Sequence, residues 1–371
     1  MKGTRMIIDI ATASPPYSVP QAIATQELIK RMGARPAVAR LIEAASAHSG
    51  IATRQIVIPD AEPEAANKFY STPDGYVIPD TKTRMDAYET WSRRLSCEAV
   101  QRLFASTGCD PSSIERLIVI SCTGFFAPGL DSYLVETCGI PRTVKRTTIG
   151  FMGCAASLIG FTSAMEALSS TRGQPAHGNT LLVSVELCSL HLQTEPTRDN
   201  ILANMIFADG AAAVLFSNND AWTHPAKLDL LATESIIFSD SSALMGWKIG
   251  NTGFEMMLSS DLPKTILEHA IPALHTMLSR MGVRAETITH WVLHPGGRAI
   301  LDALQQGLCL SDEAMQPSRT VLNRHGNMSS ASILFVLREM LDTGGVRPGD
   351  FCCAVAFGPG LSMEVAVMKG R

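Results

Sequence analysis

Residues 148–168 read TIGFMGCAASLIGFTSAMEAL. An extended run ends at Gly153, Cys154 follows, and the small residues Ala155, Ala156 and Ser157 open an apolar helix. A strand that turns abruptly into an apolar helix is a building unit of layered α/β structure. Outward from this unit, hydrophobic periodicity predicts a helix over 84–104, a strand over 117–122, a short helix over 131–138, a helix over 155–169 and strands over 180–185 and 211–216. The later half gives a helix over 264–280, a strand over 290–294, helices over 298–308 and 330–341, and strands over 352–356 and 363–368. Six element types recur in one order without a residue-level repeat. The expectation is therefore two helix-and-sheet units, residues 1–220 carrying Cys154 and residues 221–371 carrying His294 and Asn327, joined through roughly 217–230. Residues 6–11 read as a first strand, and 51–83, rich in Pro, Asp and Ala, as an irregular excursion.

Composition bounds the function. The chain has 371 residues, 46% hydrophobic and 18% charged, which suits a globular protein with a large core. Lys plus Arg number 31 and Asp plus Glu 35, a net charge of -4, so no field that gathers nucleic acid is expected. The opening apolar stretch is short and interrupted by Asp9, unlike a secretory signal. No window reaches the ~18 unbroken apolar residues of a membrane span, and a cytoplasmic location is expected. The nine cysteines are odd in number, lack paired metal spacing, and read mostly as buried thiols: Cys97, Cys109, Cys122, Cys138, Cys188 and Cys309. Cys352 and Cys353 lie in an alternating strand and should face opposite ways.

Three residues carry chemistry. Cys154 sits at a helix N-terminus, where unpaired N–H groups and the helix dipole favour a thiolate. His294 closes the apolar run 289–293 and precedes Pro295, Gly296 and Gly297, at a strand end where α/β proteins keep their sites. Its imidazole could take a thiol proton. His290 and His294 on one strand stand ~13 Å apart, too far to share a metal, so no metal site is expected. Asn327 precedes an amphipathic helix that Ser329 and Ser330 can cap, which leaves its carboxamide for a developing oxyanion. Duplication would aim the helices that follow Cys154 and Asn327 at one central cavity.

At these residues the sequence resembles the type III polyketide synthases, the chalcone-synthase-like branch of the thiolase superfamily. The matching stretches are GFMGCAAS, FADGAAAVLF, WVLHPGGRAIL, HGNMSSASILFVL and AFGPGLSMEVAVM, in this order. The resemblance implies an α/β thiolase fold, a duplicated five-layer αβαβα sandwich, and a homodimer. It implies a Cys154, His294 and Asn327 triad that condenses malonyl-CoA decarboxylatively and iteratively onto an acyl-CoA starter held on Cys154. The product would be a cyclised pyrone, resorcinol or phloroglucinol. Coenzyme A thioesters are the implied substrates, with no metal or flavin cofactor. The family's gating phenylalanine falls on Phe207 and its second aromatic gate near Met256, a departure. Cavity positions fall on Cys122, Thr123, Glu186, Cys188, His191, Trp247 and Ser329, of which His191 and Trp247 depart from the plant pattern. Gly358, Pro359 and Gly360 would shape the wall, in AFGPG where GFGPG is common. The coenzyme A entrance would involve Arg54, otherwise a plain surface charge, and the backbone at Gly296 and Ala299. A fatty acyl starter is the working expectation. Single-condensation enzymes (ketoacyl synthase III or hydroxymethylglutaryl-CoA synthase) and a non-catalytic acyl-binding homologue are the alternatives.

Overall fold

The computed structural model describes residues 5–61, 68–169, 178–222 and 226–371. Parts of the predicted junction (223–225), excursion (62–67) and N-terminal opening (1–4) lie outside the described residues. The chain begins with β1 (Met6–Ala13), β2 (Tyr17–Pro20), α1 (Gln21–Arg31), α2 (Pro36–Ala47), β3 (Thr53–Ile56), β4 (Ser71–Thr72) and β5 (Gly75–Tyr76). It continues through α3 (Thr81–Thr107), β6 (Ile114–Ser121), α4 (Leu130–Thr137), β7 (Lys145–Gly150), α5 (Ala156–Ser169), β8 (Asn179–Leu187), α6 (Arg198–Ile206) and β9 (Asp209–Ser217). Next come β10 (Leu228–Ile237), β11 (Met245–Gly250), β12 (Gly253–Leu258), α7 (Leu262–Thr265), α8 (Ile271–Arg280) and β13 (Ile288–Leu293). The chain closes with α9 (Arg298–Leu308), α10 (Asp312–His325), α11 (Ser332–Asp342), β14 (Phe351–Gly358) and β15 (Ser362–Gly370).

Nine strands form one ladder in the order β13-β14-β15-β10-β1-β9-β8-β6-β7. The order is mirrored about its middle. β6 runs parallel to β8 as β13 does to β14, and β8 pairs antiparallel with β9 as β14 does with β15. Within the sheet the two halves are joined where Met6 and Ile7 of β1 pair with Asp229 and Leu228 of β10. All six recurring elements expected from the sequence are present in both halves. The helices α1, α2, α6 and α10, the strands β2 to β5, β7 and β10 and the β11-β12 hairpin are additional.

Three buried clusters set the layers. The central one joins Leu158, Phe161 and Ala164 of α5 and Leu334 and Val336 of α11 to both halves of the sheet, through Ile120 and Leu182 on one side and Ala354 and Ala366 on the other. Gly160 permits this: a Cβ there would lie 2.6 Å from Leu182 Cδ1 and 2.8 Å from Ile120 Cδ1. The outer clusters place α3 and α4 over one half and α8 and α9 over the other. This is the duplicated five-layer thiolase fold. Cys352 faces the central cluster and Cys353 an outer one, as strand alternation requires. All nine cysteines are free thiols, and eight are buried. Cys309 is the correction: it ends α9 in a left-handed conformation and is exposed. Among the described residues no helix is long and apolar enough to cross a membrane.

Candidate active site

Cys154 lies in a single 3-10 turn, Gly153–Ala155, that feeds α5. Gly153 has φ +61°, and a Cβ there would stand 2.4 Å from Pro359 Cδ, so the wall loop and the turn can approach only across a glycine. The second half repeats the device: Ser329–Ala331 form a 3-10 turn that feeds α11. The two turns touch, with Ser157 Oγ donating to the carbonyl of Ser330 at 2.6 Å.

His294 follows β13 by one residue, and its amide donates to Val355 O at 2.9 Å, one last bond of the parallel ladder. Its side chain is buried, and neither ring nitrogen has a hydrogen-bond partner among the described residues. Burial drives its pKa down to about 3, so the imidazole is neutral at physiological pH. Asn327 is not the free carboxamide expected. Its Oδ1 accepts from the Ser329 amide at 2.8 Å, and its Nδ2 donates to Gly296 O at 3.1 Å. An amide nitrogen carries two protons, so one remains to be donated.

Cys154, His294 and Asn327 line one cavity of about 290 Å³, together with Gly296, Ala299, Phe207 and Met256. An inner pocket of about 30 Å³ adjoins it, lined by Cys154, Cys122, Thr123, Cys188, Phe207, Trp247, Met256, Ser329 and Pro359. A side cavity of about 180 Å³ lies beyond, and Phe207 and Met256 border all three.

Burial raises the Cys154 thiol to about 12, against hydrogen bonds from Ser329 and Asn327 that stabilise the thiolate. Desolvation thus opposes the expected helix-terminus activation and favours the protonated thiol.

Four expected site residues lie elsewhere. Arg54 is 8% exposed, not a surface charge; its Nη1 donates to Asn204 O at 2.6 Å and Phe207 O at 2.9 Å, and it borders the side cavity. It buttresses the Phe207 backbone. His191 also borders the side cavity, with Nε2 on Thr123 O at 2.7 Å and Nδ1 accepting from Phe254 N at 3.0 Å. Its ring stacks on Phe254 at 4.2 Å. Glu186 lies behind the inner pocket, where its carboxyl accepts from Cys122 N at 3.0 Å, Thr123 Oγ1 at 2.8 Å and Ser330 Oγ. Gly358 packs against Met152 O, 2.6 Å from where its Cβ would be, rather than on the cavity surface. His290 pairs with Asp350 at 3.1 Å.

Sequence reasoning missed the cavity's apolar lining, Met245, Phe357, Leu258 and Ile266, and the exposed arginines at its rim, Arg198 and Arg298. Each arginine begins a helix, α6 or α9. A cation at a helix N-terminus opposes the dipole, and that anomaly was the signal available.

Comparison with known proteins shows the family. Residues 229–371 match the family model described as chalcone and stilbene synthases, C-terminal domain, and residues 67–242 match FAE1/Type III polyketide synthase-like protein. The chain is 30% identical over 370 residues to a 1,3,6,8-tetrahydroxynaphthalene synthase of Streptomyces peucetius subsp. caesius, covering 99% of this chain and 93% of the relative. A putative chalcone synthase of Bacillus subtilis (strain 168) is 30% identical over 261 residues, covering 69% of this chain and 70% of that one. Among solved structures, PKS-I of the brown alga Ectocarpus siliculosus superposes with TM-score 0.91 at 28% identity, covering 100% of this chain and 99% of that one. The 1,3,6,8-tetrahydroxynaphthalene synthase of Streptomyces coelicolor A3(2) gives 0.85 at 26%, covering 99% of each chain. With a full-length relative at this identity, the same fold and a cysteine, a histidine and an asparagine around one cavity, the chain belongs to the type III polyketide synthases.

Proposed function

We propose that this enzyme loads an acyl group from coenzyme A onto Cys154 and extends it iteratively with malonyl-CoA, through His294 and Asn327. The observation that supports the triad most directly is the sharing of one cavity by the Cys154 thiol, an unpartnered neutral imidazole and a carboxamide with one proton free.

In loading, the Cys154 proton passes to a His294 nitrogen, the sulfur attacks the acyl-CoA carbonyl, and the departing coenzyme A thiolate takes that proton back. Malonyl-CoA then loses carbon dioxide. The enolate oxygen is held by the remaining N–H of His294 and of Asn327, in an apolar surround where such donors are strong. The enolate carbon attacks the Cys154 thioester, a carbon–carbon bond forms, and the carbon–sulfur bond breaks to release the thiolate. The lengthened chain returns to Cys154 until cyclisation ends the cycle.

Phe207 and Met256 act as the gate between cavities, and Cys122, Thr123, Cys188, Trp247, Ser329 and Pro359 bound the growing chain. Arg198, Arg298 and the backbone at Gly296 and Ala299 receive the coenzyme A phosphates, a role that replaces the one expected of Arg54. The test is intact mass after incubation with acyl-CoA, followed by labelled malonyl-CoA. An adduct on the native protein that is lost in Cys154→Ala, with decarboxylation kept by Cys154→Gln, is expected; full product from Cys154→Ala would end the assignment.

The functional halves are residues 1–220 and 221–371, and the working unit is a homodimer in the cytoplasm. Supporting the dimer, β7 is an edge strand with Lys145, Arg146 and Thr148 exposed, beside Phe125 and Met152 at 42% and 44% exposure. Light scattering near twice 39.9 kDa is expected, and a monomer would refute it.

A further inference from the structure

Away from the catalytic cavity, one pair of thiols stands apart. Cys97 on α3 and Cys138, the C-cap of α4, have their sulfurs 3.7 Å apart. Among the described residues no other two cysteine sulfurs come within hydrogen-bonding reach of one another. A disulfide needs about 2.05 Å, so the sulfurs must approach by roughly 1.7 Å. Both residues are 8% exposed, yet Cys97 lies at the floor of an open groove. Thr90, Arg93, Arg94 and Gln101 line that groove from the same face of α3, and Tyr133 of α4 forms the opposite side. That groove gives a small oxidant a route to Cys97.

We propose that Cys97 and Cys138 form a reversible disulfide in response to peroxides. The Cys97 sulfur attacks one peroxide oxygen and the O–O bond breaks, giving the sulfenic acid and one molecule of alcohol or water. The Cys138 sulfur then displaces the hydroxyl, its proton leaving with that hydroxyl as water, and the S–S bond forms. Two thiols are oxidised and one peroxide is reduced. Burial and the neighbouring Cys97 raise the pKa of the Cys138 thiol. The bond fastens α3 to the end of α4 and closes a loop spanning 41 positions, which constrains the unfolded chain. α4 follows the segment that begins with Cys122 and Thr123, so the tether also stiffens the support of the inner pocket.

The test treats the purified full-length enzyme with graded hydrogen peroxide, blocks remaining thiols under denaturing conditions, and maps peptides without reduction. A linked peptide pair containing Cys97 and Cys138 is expected, with two fewer blocked thiols, a mass about 2 Da lower, and a higher Tm that dithiothreitol reverses. In Cys138→Ser, oxidation should stop at a Cys97 sulfenic acid that dimedone traps. Full blocking of both cysteines after treatment that oxidises Cys154 or Cys309, or linkage of either cysteine to a different partner, would overturn the proposal.

Discussion

Asn327 Nδ2 donates to the carbonyl oxygen of Gly296 at 3.1 Å, tying the turn before α11 to the loop that follows His294. One side chain thereby ties together two segments that line the cavity, while its oxygen accepts from the Ser329 amide. Asn327→Asp keeps an oxygen for the cap and removes the donor. Malonyl-CoA decarboxylation, followed as acetyl-CoA release, should fall ~100-fold or more. Asn327→Ala should lose as much activity and also ~1 kcal/mol of stability with the hydrogen bond from the Ser329 amide. Decarboxylation retained in the Asp variant would reduce Asn327 to a structural cap.

The protonation of Cys154 at rest is the second expectation. With the thiol pushed up to about 12 and His294 down to about 3, the pair is neutral between those limits. The rate of Cys154 alkylation by iodoacetamide should rise about tenfold per pH unit from pH 7 to 9, because it follows the thiolate fraction. A plateau beginning near pH 6 would show instead a preformed thiolate–imidazolium pair.

That expectation reverses what the sequence suggested, and the reason is physical. A helix N-terminus is legible in GCAAS, but the desolvation that overrides it comes from residues distant in the chain, such as Phe207, Met245 and Phe357, which enclose the same cavity. The duplicated order of elements and the three residues that meet at one cavity, Cys154, His294 and Asn327, were legible because strand-to-helix transitions leave local marks: a glycine, small residues, and a change of period. The burial of Arg54, His191 and Glu186 was not legible, because it depends on partners such as Phe207 O, Phe254 N and Ser330 Oγ, which no local pattern reveals.

Trp247 should set the length of the acyl chain. Its Nε1 donates to Cys122 O at 2.8 Å, and its ring lies 5.7 Å from His191 and 6.4 Å from Phe207. It borders both the inner pocket of about 30 Å³ and the side cavity of about 180 Å³. The indole stands between the inner pocket next to Cys154 and the side cavity. Trp247→Ala should join the two spaces and raise kcat/KM for dodecanoyl-CoA relative to acetyl-CoA by about tenfold or more, since each buried CH₂ contributes ~0.8 kcal/mol. An unchanged ratio in a folded variant would place the wall elsewhere.

Glu186 gives the enzyme a pH-dependent stability. Burial raises its carboxyl to about 7, outweighing the hydrogen bonds from Ser330, Cys122 and Thr123 that favour the charged form. The folded-state pKa thus exceeds the unfolded value near 4.5. A raised pKa contributes stability that is fully present below about pH 4.5 and is lost as pH rises through about 7. Glu186→Gln keeps an acceptor for Cys122 and Thr123 and has no charge to desolvate, so it lacks this loss. Relative to the native enzyme, the Gln variant should gain about 3 kcal/mol between pH 5 and 8, by denaturant titration. A difference between the two proteins that stays constant across that range would mean that the donors hold Glu186 ionised throughout.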